Sequence, residues 1–61
     1  MDKKAVDRLP DKCKEIFILN RFEDLTYEEI ATKLNISQNT VRVQIFRALD
    51  MLRVFINKNL S

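Results

Sequence analysis

Five side chains on the last predicted helix have the chemistry to recognise base pairs. On a helical wheel, the side opposite an apolar stripe carries Asn39, Arg42, Val43, Phe46 and Arg47. In the DNA major groove, arginine donates two hydrogen bonds to guanine, amides pair with base edges, and apolar groups contact the methyl of thymine. This combination predicts a base-reading surface and gives the two apolar residues a role there. The competing explanation for Phe46 is packing against the preceding helix or a neighbouring subunit.

Two helices joined by a tight turn must position this surface. Thr26 and Glu29 form a capping box, in which each side chain bonds the other residue's backbone N–H, so a helix begins there. Asn35 tolerates left-handed backbone and ends that helix, and Ser37 caps the next one. Such a helix-turn-helix is used chiefly to place its second helix in the major groove. Each helix has one apolar stripe: Tyr27, Ile30, Ala31 and Leu34 on the first, and Val41, Ile45, Ala48, Leu49 and Leu52 on the second.

The residues before this motif predict two more helices. Ala5 and Val6 point inward from a short first helix, beside Leu9. Pro10 forces the preceding residue out of helical geometry and suits the first position of the second helix. The expected fold is therefore all-α, one compact four-helix domain that contains a helix-turn-helix with a long C-terminal recognition helix. The domain is predicted over residues 1–61, with helices at roughly 2–8, 10–22, 26–34 and 37–57.

Length and composition argue against catalysis. A chain of 61 residues has room for one modest core and no enclosed active-site chamber. One cysteine and no histidine provide neither an internal disulfide nor a zinc set, and there is no glycine for a phosphate-cradling loop. Cys13 is best explained as a core residue and Glu29 as a helix cap, so no enzyme, cofactor or metal site is expected. Without a membrane-spanning apolar run or a signal peptide, the chain is expected in the cytoplasm.

The net charge of +2 is unevenly distributed along the chain. Residues 1–36 carry seven basic and eight acidic side chains, whereas residues 37–61 carry four basic and one acidic, for net charges of −1 and +3. A basic helix at the end of a helix-turn-helix is typical of a nucleic-acid-binding protein. Because a charge run alone is more often a solvated helix face, the interpretation rests on the arrangement of the residues.

Several short motifs occur together between Leu9 and Arg53. They are Leu-Pro at Leu9, basic-Glu-Ile-Phe ending at Phe17, Arg-Phe-Glu ending at Glu23, Tyr-x-Glu-Ile-Ala ending at Ala31 and Ser-x-x-Thr-Val-Arg ending at Arg42. The combination resembles region 4 of bacterial RNA polymerase sigma factors of the sigma-70 family, most closely the extracytoplasmic-function (ECF) group. Where that family usually has glycine, this chain has Asp24 and Asn35, which tolerate the same left-handed backbone.

The resemblance implies a promoter-binding domain that supports transcription initiation. It implies binding of double-stranded promoter DNA at the −35 element and docking on the β-subunit flap of RNA polymerase, and the family also admits an anti-sigma factor as partner. A sigma factor needs a further upstream region that opens the −10 element, so we expect an excised domain or a short standalone relative that does not initiate alone. By position, the family's base and phosphate contacts fall on Ser37, Gln38, Asn39, Thr40, Arg42, Val43, Phe46 and Arg47.

The second predicted helix has apolar residues nearly all round. One apolar side faces inward, and Ile18, Leu19 and Phe22 spread over the other. Because a helix in a domain of this size buries one stripe, the second apolar side predicts a surface that a partner covers. Together with the resemblance, this places the polymerase-docking surface at Ile18 and Phe22. The alternative is that the first and last helices enclose the second helix completely.

Two other functions fit parts of the pattern. The output domain of a LuxR-type regulator shares the capped helix and the Ser-x-x-Thr-Val turn, but its usual Leu-Thr-x-Arg-Glu opening and Gly-rich break are missing. A helical interaction module without DNA binding would leave the arginines solvated and turn Val43 and Phe46 toward a protein. Loss of binding with rising salt would separate this module from both DNA-binding alternatives, since phosphate contacts release counterions.

Overall fold

Four helices and the turns between them make up residues 3–60, the part of the chain that the structure describes, with side chains through residue 57. The computed structural model has α1 at Lys3–Asp7, α2 at Asp11–Arg21, α3 at Tyr27–Leu34 and α4 at Gln38–Leu60. The predicted all-α fold with a helix-turn-helix and a long last helix is confirmed. Residues 1, 2 and 61 of the predicted domain, including the expected start of the first helix at residue 2, lie outside the described residues.

The three shorter helices pack their apolar residues against one side of α4, which contacts all of them. Phe17 of α2, Ile30 of α3 and Val41 of α4 have no exposed surface. Burial of a side chain of this size stabilises a fold by roughly 1.5–3 kcal/mol, so these three residues anchor the helices to one another. The buried apolar residues are Ala5, Val6, Leu9, Cys13, Ile16, Phe17, Leu19, Ile30, Ala31, Val41, Ile45, Ala48 and Leu52.

Two leucines depart from the predicted pattern. Leu49, predicted in the apolar stripe of the last helix, is 40% exposed. It lies about 80° around the helix from Val41, so it falls at the edge of the buried arc. Leu19, predicted on the outer side of α2, is only 6% exposed and belongs to the core. The loop after α2 covers it, because Leu25 N–H donates to the Leu19 carbonyl at 3.0 Å and the Leu25 side chain packs on the core.

Helix α3 begins with the predicted capping box. Thr26 N–H donates to Glu29 Oε1 at 2.8 Å, and Glu29 N–H donates to Thr26 Oγ1 at 3.1 Å. The hydrogen bond from the Thr26 backbone, assisted by one from its side chain, lowers the pKa of Glu29 below its ordinary value of 4.5. The ionised carboxylate is therefore the form that holds the start of α3.

Helix α2 begins one residue later than predicted. Pro10 has φ −57° and ψ 150°, so its backbone is extended and it caps the helix instead of forming its first residue. Its carbonyl accepts from Lys14 N–H at 2.8 Å, which satisfies the first donor inside the helix. The proline ring fits because it restricts φ to a value that both positions share.

The two loops that bound α3 use left-handed residues without glycine. Asp24 has φ 60° and Asn35 has φ 57°, as the sequence predicts for residues standing where glycine is usual. Asn35 ends α3, and Ile36 N–H donates back to the Ala31 carbonyl at 3.0 Å. The turn from α3 to α4 is therefore short and fixed by backbone hydrogen bonds, which sets the angle at which α4 leaves.

The C-terminal half of α4 is tied back to the start of the chain. The guanidinium of Arg8 lies 4.4 Å from the ring centre of Phe55, a cation–π contact that joins the end of α1 to α4. No helix within residues 3–60 is long and apolar enough to cross a bilayer.

Candidate nucleic-acid interface

The start of α4 is fixed by two hydroxyl groups. Ser37 Oγ accepts from Thr40 N–H at 3.0 Å, and the Ser37 and Thr40 hydroxyls share a hydrogen bond of 2.9 Å. Ser37 thus caps α4, as its residue type and position predict. Of the two hydroxyl protons, one lies in the bond between the side chains, so one remains to donate to an outside acceptor such as a phosphate.

Seven of the eight residues predicted to contact DNA are exposed, and all eight lie in the first ten residues of α4 or at its cap. Val43 is the exception, since its side chain is half-buried. Around the helix, Arg42 and Arg47 are about 140° apart, with Val43 and Phe46 between them. Asn39, Val43 and Phe46 thus form one convex strip with an arginine on each edge, and Ser37, Gln38 and Thr40 lie beside it at the start of the helix. The predicted set comprises Ser37, Gln38, Asn39, Thr40, Arg42, Val43, Phe46 and Arg47.

Arg42 lies on one edge of this strip and is held by a neighbouring amide. Its Nη2 donates to Asn39 Oδ1, one turn earlier on α4. Both side chains line a groove of about 250 Å³ together with Gln38 and with Tyr27 from the start of α3. Helical periodicity predicts Tyr27 in the apolar stripe of α3, yet its half-buried side chain borders the candidate interface. Its phenol, polar at the tip, was the signal available for this position.

Arg47 lies on the other edge, nearer to α2. Its positive charge acts on the buried thiol of Cys13, which donates to the Gln44 carbonyl at 3.3 Å. Burial raises the pKa of Cys13, and Arg47 opposes this rise in part. Cys13 therefore stays a protonated core residue near neutral pH, in agreement with its interpretation from sequence, while the exposed guanidinium of Arg47 remains accessible.

The apolar part of the interface is at its C-terminal limit. Phe46 is 59% exposed and borders a second groove of about 250 Å³ with Leu49, Asp50 and Arg53. Phe46 therefore lies outside the buried core, and contact with a neighbouring subunit stays the alternative to a role in DNA binding. Arg53 Nη2 donates to Asp50 Oδ1 at 2.8 Å, so the carboxylate offsets the charge of that arginine.

Some basic residues in the described part of the chain form ion pairs with carboxylates, whereas the two arginines of the strip do not. The ion pairs there join Lys12 to Glu15, Lys14 to Asp7 and Arg53 to Asp50. Arg42 and Arg47 belong to none of these pairs. The two cations that flank the convex strip therefore keep their charge available to an anionic partner.

Ile18 and Phe22, the residues predicted for partner docking, lie together on the far side of the domain's second helix. Phe22 is 52% exposed, and Ile18 is half-buried against the core. With Lys3 and Val6 they line an apolar groove of about 270 Å³ between α1 and α2. The first helix thus borders these residues and does not cover them, so part of the second apolar side stays open.

Comparison with known proteins gives a consistent set of relatives. The family model described as Sigma-70, region 4, matches residues 3–52. RNA polymerase sigma factor SigV of Bacillus subtilis (strain 168) is 44% identical over 55 residues, covering 90% of this chain and 33% of that protein. ECF RNA polymerase sigma factor SigE of Mycolicibacterium smegmatis is 37% identical over 57 residues, covering 93% of this chain and 22% of that protein.

Ferric citrate uptake sigma factor FecI of Escherichia coli (strain K12) is 36% identical over 50 residues, covering 82% of this chain and 29% of that protein. The chain spans a third or less of the length of these three relatives. No solved structure matches it.

Proposed function

This chain belongs to the sigma-70 region 4 family, and from that premise we propose that it binds the −35 element of promoter DNA through the convex strip on α4. The assignment made from the sequence motifs, to region 4 and the ECF group, is confirmed by the family match and by relatives that include a named ECF sigma factor. As part of a sigma factor, the domain would support transcription initiation in the cytoplasm while docked on RNA polymerase.

Two arginines outside the described ion pairs lie on either edge of half-buried Val43 and exposed Phe46, and this observation supports the proposal most directly. When the strip enters the major groove, the apolar pair faces the base edges, where the thymine methyl is the apolar partner. Arg42 and Arg47 then face the two walls of the groove, where they can reach guanine or a phosphate. The hydroxyl proton left at the Ser37–Thr40 cap faces the backbone near the helix start.

A binding experiment with the whole chain tests this function. The probe is a pool of short duplexes with a randomised central segment, followed at several salt concentrations. We expect enrichment of one sequence and an affinity that falls as salt rises, because each phosphate contact releases counterions. Binding by the isolated domain should be weak, since few cations meet the backbone, and attachment to polymerase would supply effective concentration.

A charge-matched control separates the interface from net charge. Arg42→Ala with Arg47→Ala should abolish enrichment, whereas Lys12→Ala with Arg21→Ala removes equal charge from α2 and should preserve it. Equal loss in both variants would mean that the strip has no special role. Failure of the wild-type chain to bind any duplex at low salt would instead favour the helical interaction module.

For the second partner, we propose that the apolar groove at Ile18 and Phe22 receives the β-subunit flap of RNA polymerase. Phe22 is half-exposed and borders an apolar groove that none of the DNA-strip residues lines, and an apolar surface of this kind is typical of a partner-binding site. Phe22→Asp and Ile18→Asp should abolish capture by the isolated flap fragment while leaving helical signal and DNA binding intact. Leu49→Asp is the control, because it places the same charge on an exposed apolar residue that does not line this groove.

Unfolding of both groove variants would show that these residues serve the core. The Ile18→Asp variant is the one more prone to unfold, because the Ile18 side chain is half-buried against the core. Phe22→Asp is therefore the decisive variant. A candidate anti-sigma factor, the further partner that the family admits, is added to the same capture assay as a competitor.

A further inference from the structure

A hydrogen bond joins the side chains of Asn39 and Arg42 on the surface of α4. Both side chains are exposed, and Ser37 already supplies the cap of α4. The Asn39 amide oxygen nevertheless accepts a hydrogen bond from Nη2 of Arg42 within the groove shared with Tyr27 and Gln38. A hydrogen bond between two exposed side chains adds little to the free energy of folding. Its main effect is to restrict the position of the Arg42 guanidinium.

The amide orients the arginine without cancelling its charge. A guanidinium has five N–H donors, and a bidentate contact to guanine needs two of them. One donor spent on Asn39 leaves four, so Arg42 remains able to make that contact. Because a long side chain loses rotamer freedom when it binds, an arginine already held in place loses less. A carboxylate at the same position would orient the arginine equally but would neutralise it and repel phosphates.

We propose that Asn39 is a positioning residue, which holds the Arg42 guanidinium in its base-reading direction, and that its contribution to DNA binding passes through Arg42. This inference rests on the proposed function. It changes the role of Asn39 within the predicted contact set from a direct base contact to the support of a neighbouring one. The amide hydrogens of Asn39 stay free to donate, but the oxygen that adenine recognition would use is engaged.

A double-mutant cycle with the whole chain tests the proposal. The probe is the duplex enriched by the wild-type chain, together with duplexes that change one base pair at a time. We expect Asn39→Ala to weaken binding roughly 2- to 10-fold, the range set by one net hydrogen bond. The same variant should broaden specificity at the base pair where Arg42→Ala does. In the Arg42→Ala background, Asn39→Ala should have no further effect.

A charge-swapped variant provides the second readout. Asn39→Asp should keep the arginine oriented but reduce the slope of log affinity against log salt by about one, because one cation is neutralised. The readout that a merely structural role would not change is the specificity at the base pair read by Arg42, together with the double-mutant cycle. Thermal melting of each variant confirms folding, and Asn39→Ser, which keeps helix-start preference but is too short to reach the guanidinium, replaces the alanine if it weakens the helix.

The outcomes separate the inference from the function on which it rests. Equal losses from Asn39→Ala with and without Arg42 would assign Asn39 a direct contact and overturn the proposal. So would a silent Asn39→Ala when Arg42→Ala is damaging, or a silent Arg42→Ala when the wild-type chain binds. If the wild-type chain binds no duplex, the proposed function fails and the inference fails with it.

Discussion

Arg42 and Arg53 lie within about 20° of each other around α4, and each bonds the side chain three residues earlier. The partner of Arg42 is the neutral amide of Asn39, whereas the partner of Arg53 is the carboxylate of Asp50. The two hydrogen bonds have the same spacing along the helix, but only that of Arg53 is also an ion pair. The two arginines therefore differ in the charge that they offer to an anionic partner, because only Arg53 has a carboxylate neighbour.

This difference divides the outer side of α4 into two halves. The first half, up to Arg47, offers cations that no described carboxylate pairs with, and in the second half the Asp50 carboxylate offsets the charge of Arg53. Phe46 and Leu49 stand at the boundary, exposed on the side that the core does not use. Substitutions in the two halves should have different effects on stability and on DNA binding.

The largest expected effect is on the free energy of unfolding, and it shows whether Phe46 belongs to the surface or to the core. Ile45 and Phe46 are neighbours about 100° apart around α4, with exposures of 3% and 59%. Ile45→Ala should lower the free energy of unfolding by about 2–5 kcal/mol, because it leaves a cavity in the core. Phe46→Ser should change it by about 0.5 kcal/mol or less while weakening DNA binding. Denaturant melts measure both, and a collapsed transition for Phe46→Ser would remove it from the interface.

The next effect compares the two arginines directly. Arg42→Ala should cost about 1–3 kcal/mol on the enriched duplex and should flatten discrimination at one base pair. Arg53→Ala should change affinity little, since Asp50 already offsets its charge. Titrations against matched and mismatched duplexes distinguish the two. Equal losses on every sequence would make Arg42 a phosphate contact, and equal losses for both arginines would abolish the distinction between the halves.

A smaller effect should come from converting the second half into the first. Asp50→Asn replaces the carboxylate beside Arg53 with the amide that Arg42 already has. We expect tighter DNA binding at low salt, with a slope against log salt that steepens by up to about one, because a cation becomes available. Melting should change little, since exposed ion pairs contribute about 0–1 kcal/mol. Unchanged affinity would mean that Arg53 lies beyond the reach of the duplex.

The smallest effect concerns α3, which supports the first half. Because hydrogen bonds from Thr26 lower the pKa of Glu29 in the folded state, ionised Glu29 contributes stability above pH 4.5, and this contribution is lost as the pH falls through the lowered value. Glu29→Gln should therefore remove part of the loss of melting temperature below pH 4.5. Glu28→Gln, a matched loss of one carboxylate, serves as control. Identical pH profiles for the two variants would contradict the role of the cap.

Local chemistry made much of this fold predictable. The capping box at Thr26, the left-handed residues Asp24 and Asn35, and the hydroxyl cap at Ser37 follow from short-range rules that hold in almost any context. The buried stripes followed from helical periodicity. Apart from the start of α2 at Asp11, the predictions that differ involve contacts between elements. Leu49 lies at the edge of a stripe, where exposure depends on how far a neighbouring helix reaches.

The candidate site could be predicted as a face but not as a set of bonds. The wheel placed Arg42 and Arg47 opposite the core, yet it gives no information on which side chain Arg42 bonds. Tyr27 borders the candidate interface because the turn at Asn35 brings the start of α3 beside the start of α4. The apolar periodicity of α3 does not predict this contact between two helices. Asp50 is three residues from both Arg47 and Arg53 in the sequence, and the structure pairs it with Arg53.

The left-handed turns at Asp24 and Asn35 also affect the unfolded chain. A non-glycine residue in this conformation costs the folded state some strain, whereas a glycine would cost it nothing. Glycine, however, gives the unfolded chain more backbone freedom, and that freedom must be lost when the chain folds. A chain with no glycine among its 61 residues therefore begins folding from a narrower ensemble. For a domain with so small a core, part of its stability resides in what the unfolded chain is unable to do.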